Sequence, residues 1–233
     1  MFHKKQINGK DVYYSDITDV EHFFTSRDLI VKDNVNEISE YLKIEPKNLI
    51  HPIQTHSDNV KVVEDKIYDY GNTDALILTQ QDKAIYLNFA DCTPIIIYDY
   101  KNNIGAIAHA GWRGTAQRIA QKTVLKMQKE FNSNPKNICA IIGPCISFEE
   151  FETYPDALKK LKASITKINT PYFKNNNADL KGINKQQLNE VGVFDIDICP
   201  YCTVKDNDKF FSYRKENKTT NRHSAVLKLK QLV

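Results

Sequence analysis

The stretch IGAIAHAGWRGT, residues 104–115, opens as a buried strand and closes at the start of a helix. Ile104 to Ala108 run small or apolar without a polar break, as in a strand covered on both faces. His109 stands where that strand should end, and Gly111, Trp112, Arg113 and Gly114 read as the turn that follows. Beyond Gly114 the period changes. Ala116, Ile119, Ala120, Val124, Met127 and Phe131 fall on one face of a helix, with Lys and Gln opposite. Thr115 is placed as an early cap of that helix.

Upstream of this stretch, apolar runs follow one another quickly: NLIHPI, NVKVVE, DALILT, AIYLNF and TPIIIYDY. Each is short, rich in Ile, Val or Tyr, and bounded by Asn, Asp or Gly, which is the signature of strands. Before them lie a strand at DVYYSDI and a polar helix around NVNEISEYLKI, where Val35, Ile38 and Leu42 keep a helical spacing. Downstream, NICAIIGPC reads as strand, about 149–163 as helix, and INKQQLNEVG as a helix ending at Gly192. HSAVLKLKQL alternates like a half-buried strand, and KNNNADLKG reads as an exposed loop. No repeat or linker divides the chain.

A chain of 233 residues, 41% of them hydrophobic, is long enough to bury a substantial core. Its net charge of +3 is spread along the sequence, so nothing calls for nucleic acid as a partner. The beginning, MFHKKQINGK, has no apolar run after its lysines, and no segment approaches the roughly 20 apolar residues that cross a bilayer. The expected compartment is the cytoplasm, with no membrane partner. Five cysteines (Cys92, Cys139, Cys145, Cys199 and Cys202) then read as free thiols or metal ligands rather than a disulfide framework.

Three residues at the edges of strand candidates carry the most chemistry: His56 in QTHSDNV, Cys92 in FADCTPIII and His109 in AHAGWRG. Two imidazoles and a thiolate suit a divalent ion such as zinc, and three ligands leave a fourth position open for catalysis. The same residues read equally as hydrogen-bonded histidines and a small buried thiol, because separation along the chain proves no proximity. Arg113, in its glycine-flanked turn, suits a phosphate or carboxylate, or else a structural ion pair to Asp91 or Asp99. The Cys199-Pro-Tyr-Cys202 motif looks like a redox dithiol, but the TVKDNDKFFSYR that follows does not read as the helix such a pair needs. A four-thiolate zinc with Cys139 and Cys145 lacks a second matching spacing. The arginines of FFSYR and TNRHS read as solvated, and Asp74 in NTDALIL as a turn cap before its strand.

Taken in order, QTHSDNV, TDALIL, ADCTPIIIYD, AIAHAGWRGT, GPCISFEEFE, the CPYC and FFSYR pair, and NRHSAV resemble the laccase-domain-containing proteins. That family was once described as multicopper polyphenol oxidases and is now described as LACC-type purine nucleoside phosphorylases. The resemblance runs from about Phe23 to the end of the chain. It implies one α/β (α+β) domain over residues 1–233, with mixed β-sheets layered between helices (α/β/β/α). It implies one zinc held by His56, Cys92 and His109, which are also the catalytic residues, with copper as an alternative occupant in vitro. The implied enzyme is cytoplasmic, a monomer or small homo-oligomer. It splits adenosine, inosine, guanosine and methylthioadenosine with inorganic phosphate, and it also deaminates adenosine. Arg27 and Arg113 are the expected phosphate or ribose contacts. The chain departs from the family pattern at FFTSRDLIVKDN, where a loop is shortened, at FETYP, where only Glu152 carries over, and at TNRHS, which keeps Arg222.

Three rivals remain. Cys92 could be a nucleophile with a histidine base, as in thiol hydrolases or amidases that process a cell-wall precursor. Phenol oxidation by copper would need several histidine-rich sites, and six histidines are few. A non-catalytic pocket that senses a nucleotide would use the same residue types.

Overall fold

Among the residues that the computed structural model describes (1–65, 69–166 and 171–231), the strand-forming runs collect into two six-stranded sheets. Numbered in chain order, the first sheet runs β1 (Phe2–Ile7), β2 (Lys10–Ser15), β3 (Glu21–Thr25), β14 (His223–Lys228), β7 (Ala84–Phe89) and β4 (Leu49–Ile50). The second runs β13 (Asp195–Ile198), β10 (Ile138–Ile142), β8 (Thr93–Asp99), β9 (Ile104–Ala110), β6 (Ala75–Leu78) and β5 (Val60–Val62). Most neighbours are antiparallel; β4–β7, β5–β6 and β10–β13 are parallel. A two-stranded hairpin, β11 (Phe173–Lys174) with β12 (Asn177–Ala178), stands apart. The helices are α1 (Val35–Leu42), α2 (Trp112–Ala116), α3 (Ile119–Phe131), α4 (Pro155–Ala163) and α5 (Leu180–Asn189).

Alternation along the strands decides the layering. Phe24, Leu87 and Leu227 of the first sheet meet Leu76, Ile96 and Ile107 of the second in one buried cluster. On the far side of the second sheet, Ile77, Ile95 and Ala108 pack on Ile119, Val124 and Met127 of α3. Val12, Phe23 and Tyr86 face away from the first sheet and cover Ile38 and Leu42 of α1. The result is the expected α/β fold with mixed sheets between helical layers. Each fully buried aliphatic or Phe side chain stabilises it by roughly 1.5–3 kcal/mol. Gly105 lets the sheets close, since a Cβ there would come within 2.5 Å of Leu227 Cδ2. No helix among the described residues is long and apolar enough to cross a membrane.

Several local expectations change. The helix expected beyond Gly114 is two helices, broken at Arg118, whose backbone is left-handed at φ 61°. Thr115 is not a cap: it lies inside α2, and its hydroxyl donates back to the Ala110 carbonyl at 3.2 Å. The helix expected from 149 starts only at Pro155, because a proline suits the first helical position and holds the preceding Tyr154 extended. KNNNADLKG is no plain loop; it supplies the β11–β12 hairpin and the start of α5, capped by the Asp179 carboxylate. The last strand is buried throughout rather than half-buried, since β14 is an interior strand of the first sheet, between β3 and β7.

Candidate metal centre

Strand register brings the distant residues of the expected site to one end of the second sheet. In the β8–β9 hairpin, Thr93 pairs with Ala110 and Pro94 with His109, so Cys92, just before β8, comes beside Gly111. In β6–β9, Ala75 pairs with Ala108, which puts Asp74 next to His109; the His109 amide donates to the Asp74 carbonyl at 2.7 Å. The segment holding His56 leads into β5, the edge strand paired parallel to β6. Gly111 is required here. A Cβ at this position would lie 2.7 Å from Cys92 Sγ and 3.3 Å from His56 Cδ2.

The donor atoms of His56, Cys92 and His109 all lie within 4.8 Å of one another, and among the described residues no other such trio forms. A tetrahedral ion with bonds of about 2.0–2.3 Å wants its donors roughly 3.3–3.8 Å apart. Cys92 Sγ and His56 Nε2 stand at 3.8 Å, and the two imidazole rings meet edge-on with centroids at 4.8 Å. His109 is buried, Cys92 half-buried and His56 exposed, so the group opens to one side. Two neutral nitrogens and a thiolate fit zinc, and they would also take copper.

Electrostatics favour the ligating thiolate of Cys92, but on His109 they favour the protonated ring, which must give up that proton to ligate. Burial opposes a Cys92 thiolate, but the adjacent His109 and His56 outweigh it and draw the thiol down to about 6. Burial likewise opposes charge on His109, while the Cys92 thiolate and Asp74 raise its affinity for a proton. Asp74 is fully buried, yet hydrogen bonds from His109 and Ser57 hold its carboxyl well below the usual carboxylate range. His109 Nδ1 lies 2.8 Å from Asp74 Oδ1.

The trio sits in a cavity of about 580 Å³, lined also by Gln54, Asn88, Trp112, Arg113, Phe151, Tyr213, Arg214 and Arg222. Arg113 is exposed at this cavity and stacks on Trp112 at 4.4 Å. The ion pair considered for it does not form. Asp91 accepts from Thr203 Oγ1 and the Arg214 amide, and Asp99 accepts from Lys101, Asn102 and the Asn102 side chain. Arg27 is not brought to the cavity. Its guanidinium bonds the Asn207 carbonyl and, at 2.8 Å, Glu216 Oε1, and it lies over Phe211. It therefore braces the turn that carries Tyr213 and Arg214. Glu152 pairs with Asn177, and its carbonyl accepts from Arg214.

Residues 19–230 match the family model described as multi-copper polyphenol oxidoreductase laccase. The chain belongs to this family. Among its relatives, a purine nucleoside phosphorylase of Bacteroides thetaiotaomicron is 30% identical over 79% of this chain and 74% of its own. One of Corynebacterium glutamicum is 32% identical over 84% of this chain and 80% of its own. In structure, YlmD of Geobacillus stearothermophilus superposes with a TM-score of 0.89 at 22% identity, covering 98% of this chain and 99% of that one. YfiH of Bacillus licheniformis follows at 0.85 and 25%, covering 97% and 98%. As the family resemblance implies, the fold is α/β with mixed sheets.

Sequence reasoning gave no site role to Asp74, read as a turn cap, to Asp91, named only as an ion-pair partner for Arg113, or to Arg214, read as solvated, and it did not consider the Gln54–Asn88 pair. Asp91 carried no local signal beyond standing next to Cys92; its backbone is left-handed at φ 82°, strained for a residue with a side chain. Gln54 bonds the Asn88 backbone at both its amide and its carbonyl, extending β7 toward the cavity. Cys145, Cys199 and Cys202 are buried free thiols; Cys202 Sγ accepts from the Ser147 amide at 3.3 Å.

Proposed function

We propose that this protein is a zinc-dependent purine nucleoside phosphorylase that also deaminates adenosine. The observation that carries the reading is the convergence of His56, Cys92 and His109 in one cavity of a chain related to proteins named as such phosphorylases. In phosphorolysis a phosphate oxygen bonds to C1′ of the ribose, the C1′–N9 bond breaks, and its electron pair leaves with the purine, which takes up a proton. Arg113, exposed beside the trio, offers a two-pronged donor for the phosphate. Trp112, Phe151 and Tyr213 give the cavity flat apolar walls for a purine. Asn88 and Gln54 add polar groups at its floor. A zinc ion held by the trio would supply Lewis acidity for charge developing on the substrate, and for the hydrolytic attack at adenine C6.

The test is direct. Metal-replete protein given inosine and phosphate should release hypoxanthine and ribose-1-phosphate, and given adenosine it should also form inosine. Chromatography that finds neither hypoxanthine nor ribose-1-phosphate overturns the phosphorylase reading.

A second reading has one observation in its favour. Cys92, His109 and Asp74 form a continuous thiol–imidazole–carboxylate chain, which is how thiol hydrolases activate a nucleophile. Such an amidase would keep working after chelation of metal, whereas the phosphorylase would not.

A further inference from the structure

We propose that Asp74 is a positioning residue: one buried carboxylate presets both imidazoles of the site, the His109 ring and the His56 main chain. This rests on reading the trio as a metal centre.

Six donor contacts converge on that carboxylate. Oδ1 lies 2.8 Å from His109 Nδ1 and accepts the His56 amide at 3.1 Å. Oδ2 accepts the Ser57 amide at 2.7 Å, the Ser57 hydroxyl at 2.7 Å, the Thr55 amide at 3.1 Å and, more distantly, the Thr55 hydroxyl at 3.4 Å. A turn cap needs one or two such bonds; here three successive amides wrap one anion while a ring from another strand meets it too.

Each contact has a consequence at the site. An ionised carboxylate only accepts, so His109 Nδ1 must donate to it, and Nε2 is left as the lone-pair nitrogen facing the cavity. His56 has φ 60°, a left-handed conformation that a side chain disfavours. The amides of Thr55, His56 and Ser57 are all aimed at Asp74, and this holds His56 in that conformation with its ring toward Cys92. The acid is placed by register alone, because it directly precedes β6 and so stands opposite His109 at the end of β9.

The substitution Asp74→Asn separates the two arms while keeping the size. With its single oxygen at the Oδ2 position, toward Thr55 and Ser57, Asn presents an NH2 to His109 and to the His56 amide. The ring must then accept at Nδ1 and carry its proton on Nε2, where it cannot ligate. With the oxygen at the Oδ1 position, His109 and the His56 amide keep an acceptor, but the NH2 faces the Thr55 and Ser57 amides and the loop that sets His56 loosens. Either way one imidazole is left in the wrong tautomer or poorly held.

The experiment compares wild-type and Asp74→Asn protein by zinc affinity, measured in competition with a chelating dye, by circular dichroism of the metal-free forms, and by 15N NMR of the imidazoles. The expected result is a folded Asp74→Asn protein that holds zinc about 10–100-fold more weakly, the range typical of residues behind metal ligands. In the zinc-loaded wild type, His109 should carry its proton on Nδ1. A folded variant within about threefold of wild-type affinity overturns the proposal, and so does a wild-type His109 protonated on Nε2. If Asp74→Asn does not fold, the wild-type spectrum still decides, together with Ser57→Ala, which removes one bond of the loop arm and should weaken zinc a few-fold without changing the His109 tautomer. A wild type that binds no zinc sinks both this proposal and the metal reading. One that binds zinc as expected but splits no nucleoside sinks only the proposed activity.

Discussion

Two groups of thiols in this molecule look alike in composition and behave oppositely. Cys199 and Cys202 form the more conspicuous motif, with Cys145 paired beside Cys202, and all three are buried. Burial dominates at two of them: the thiols of Cys145 and Cys199 are pushed up to about 11 and about 12. Cys92 belongs to no motif, yet its imidazole neighbours overcome burial and leave it a thiolate near neutral pH. Reactivity in this fold is therefore assigned by what the sheet end brings beside the sulfur, not by spacing between cysteines. Cys139 follows the inert group, at about 11.

The sharpest way to break that contrast is to delete one sulfur from each group. Cys92→Ala should lose its one equivalent of metal by elemental analysis and lower phosphorolysis at least about 100-fold, since it removes a ligand and not merely a residue behind one. Cys199→Ala should keep metal and turnover within about threefold, at a stability cost of about 1 kcal/mol for the small cavity it leaves. Equal damage from both substitutions would end the distinction. Next in size is a chemical contrast: in metal-free protein at pH 7, iodoacetamide should alkylate Cys92 about 100-fold faster than Cys145 or Cys199, read by mass spectrometry of peptides. Comparable rates would mean that the imidazoles do not activate Cys92.

The smallest effect concerns a third buried imidazole. His223 lies between Phe89 and Phe210, and burial, which outweighs the Pro144 backbone and Glu216, lowers its pKa to about 3, the opposite of the shift at His109. An unfolded histidine titrates near 6.5, so below that pH the unfolded chain takes a proton that the native ring refuses. Its contribution to stability is complete above about pH 6.5 and is lost progressively as the pH falls toward 3. Between pH 7 and 5 the wild type should lose about 2 kcal/mol more than His223→Phe in denaturant titrations. Identical pH slopes would show that His223 is not held neutral.

Much of this was legible in the chain, for identifiable reasons. Residues 104–131 announced both a covered strand and the helix face of Ile119, Val124 and Met127, because apolar periodicity reports which side of an element is buried. The three ligand-type residues were singled out from their chemistry and their strand edges. Asp74 was misread as a turn cap because its partners lie across a strand pairing that no local window contains. Arg27 and Arg214 exchanged expectations for a similar reason. Arg27 spends its guanidinium on Glu216, while Arg214, read as solvated, lines the cavity with its amide on Asp91. The break at Arg118 carried no glycine or proline to mark it.

By itself the sequence determined most of the elements, many of the faces they bury and the inventory of imidazole, thiol and guanidinium groups, since these depend on side-chain type and short-range period. Only the tertiary structure decided which of them meet. The β8–β9 and β6–β9 registers put Cys92, His109 and Asp74 at one sheet end, and the Thr55–Ser57 amides folded His56 onto the same carboxylate. Proximity across strands is set by pairing and packing summed over whole sheets, and residues far apart in the chain carry no local trace of it.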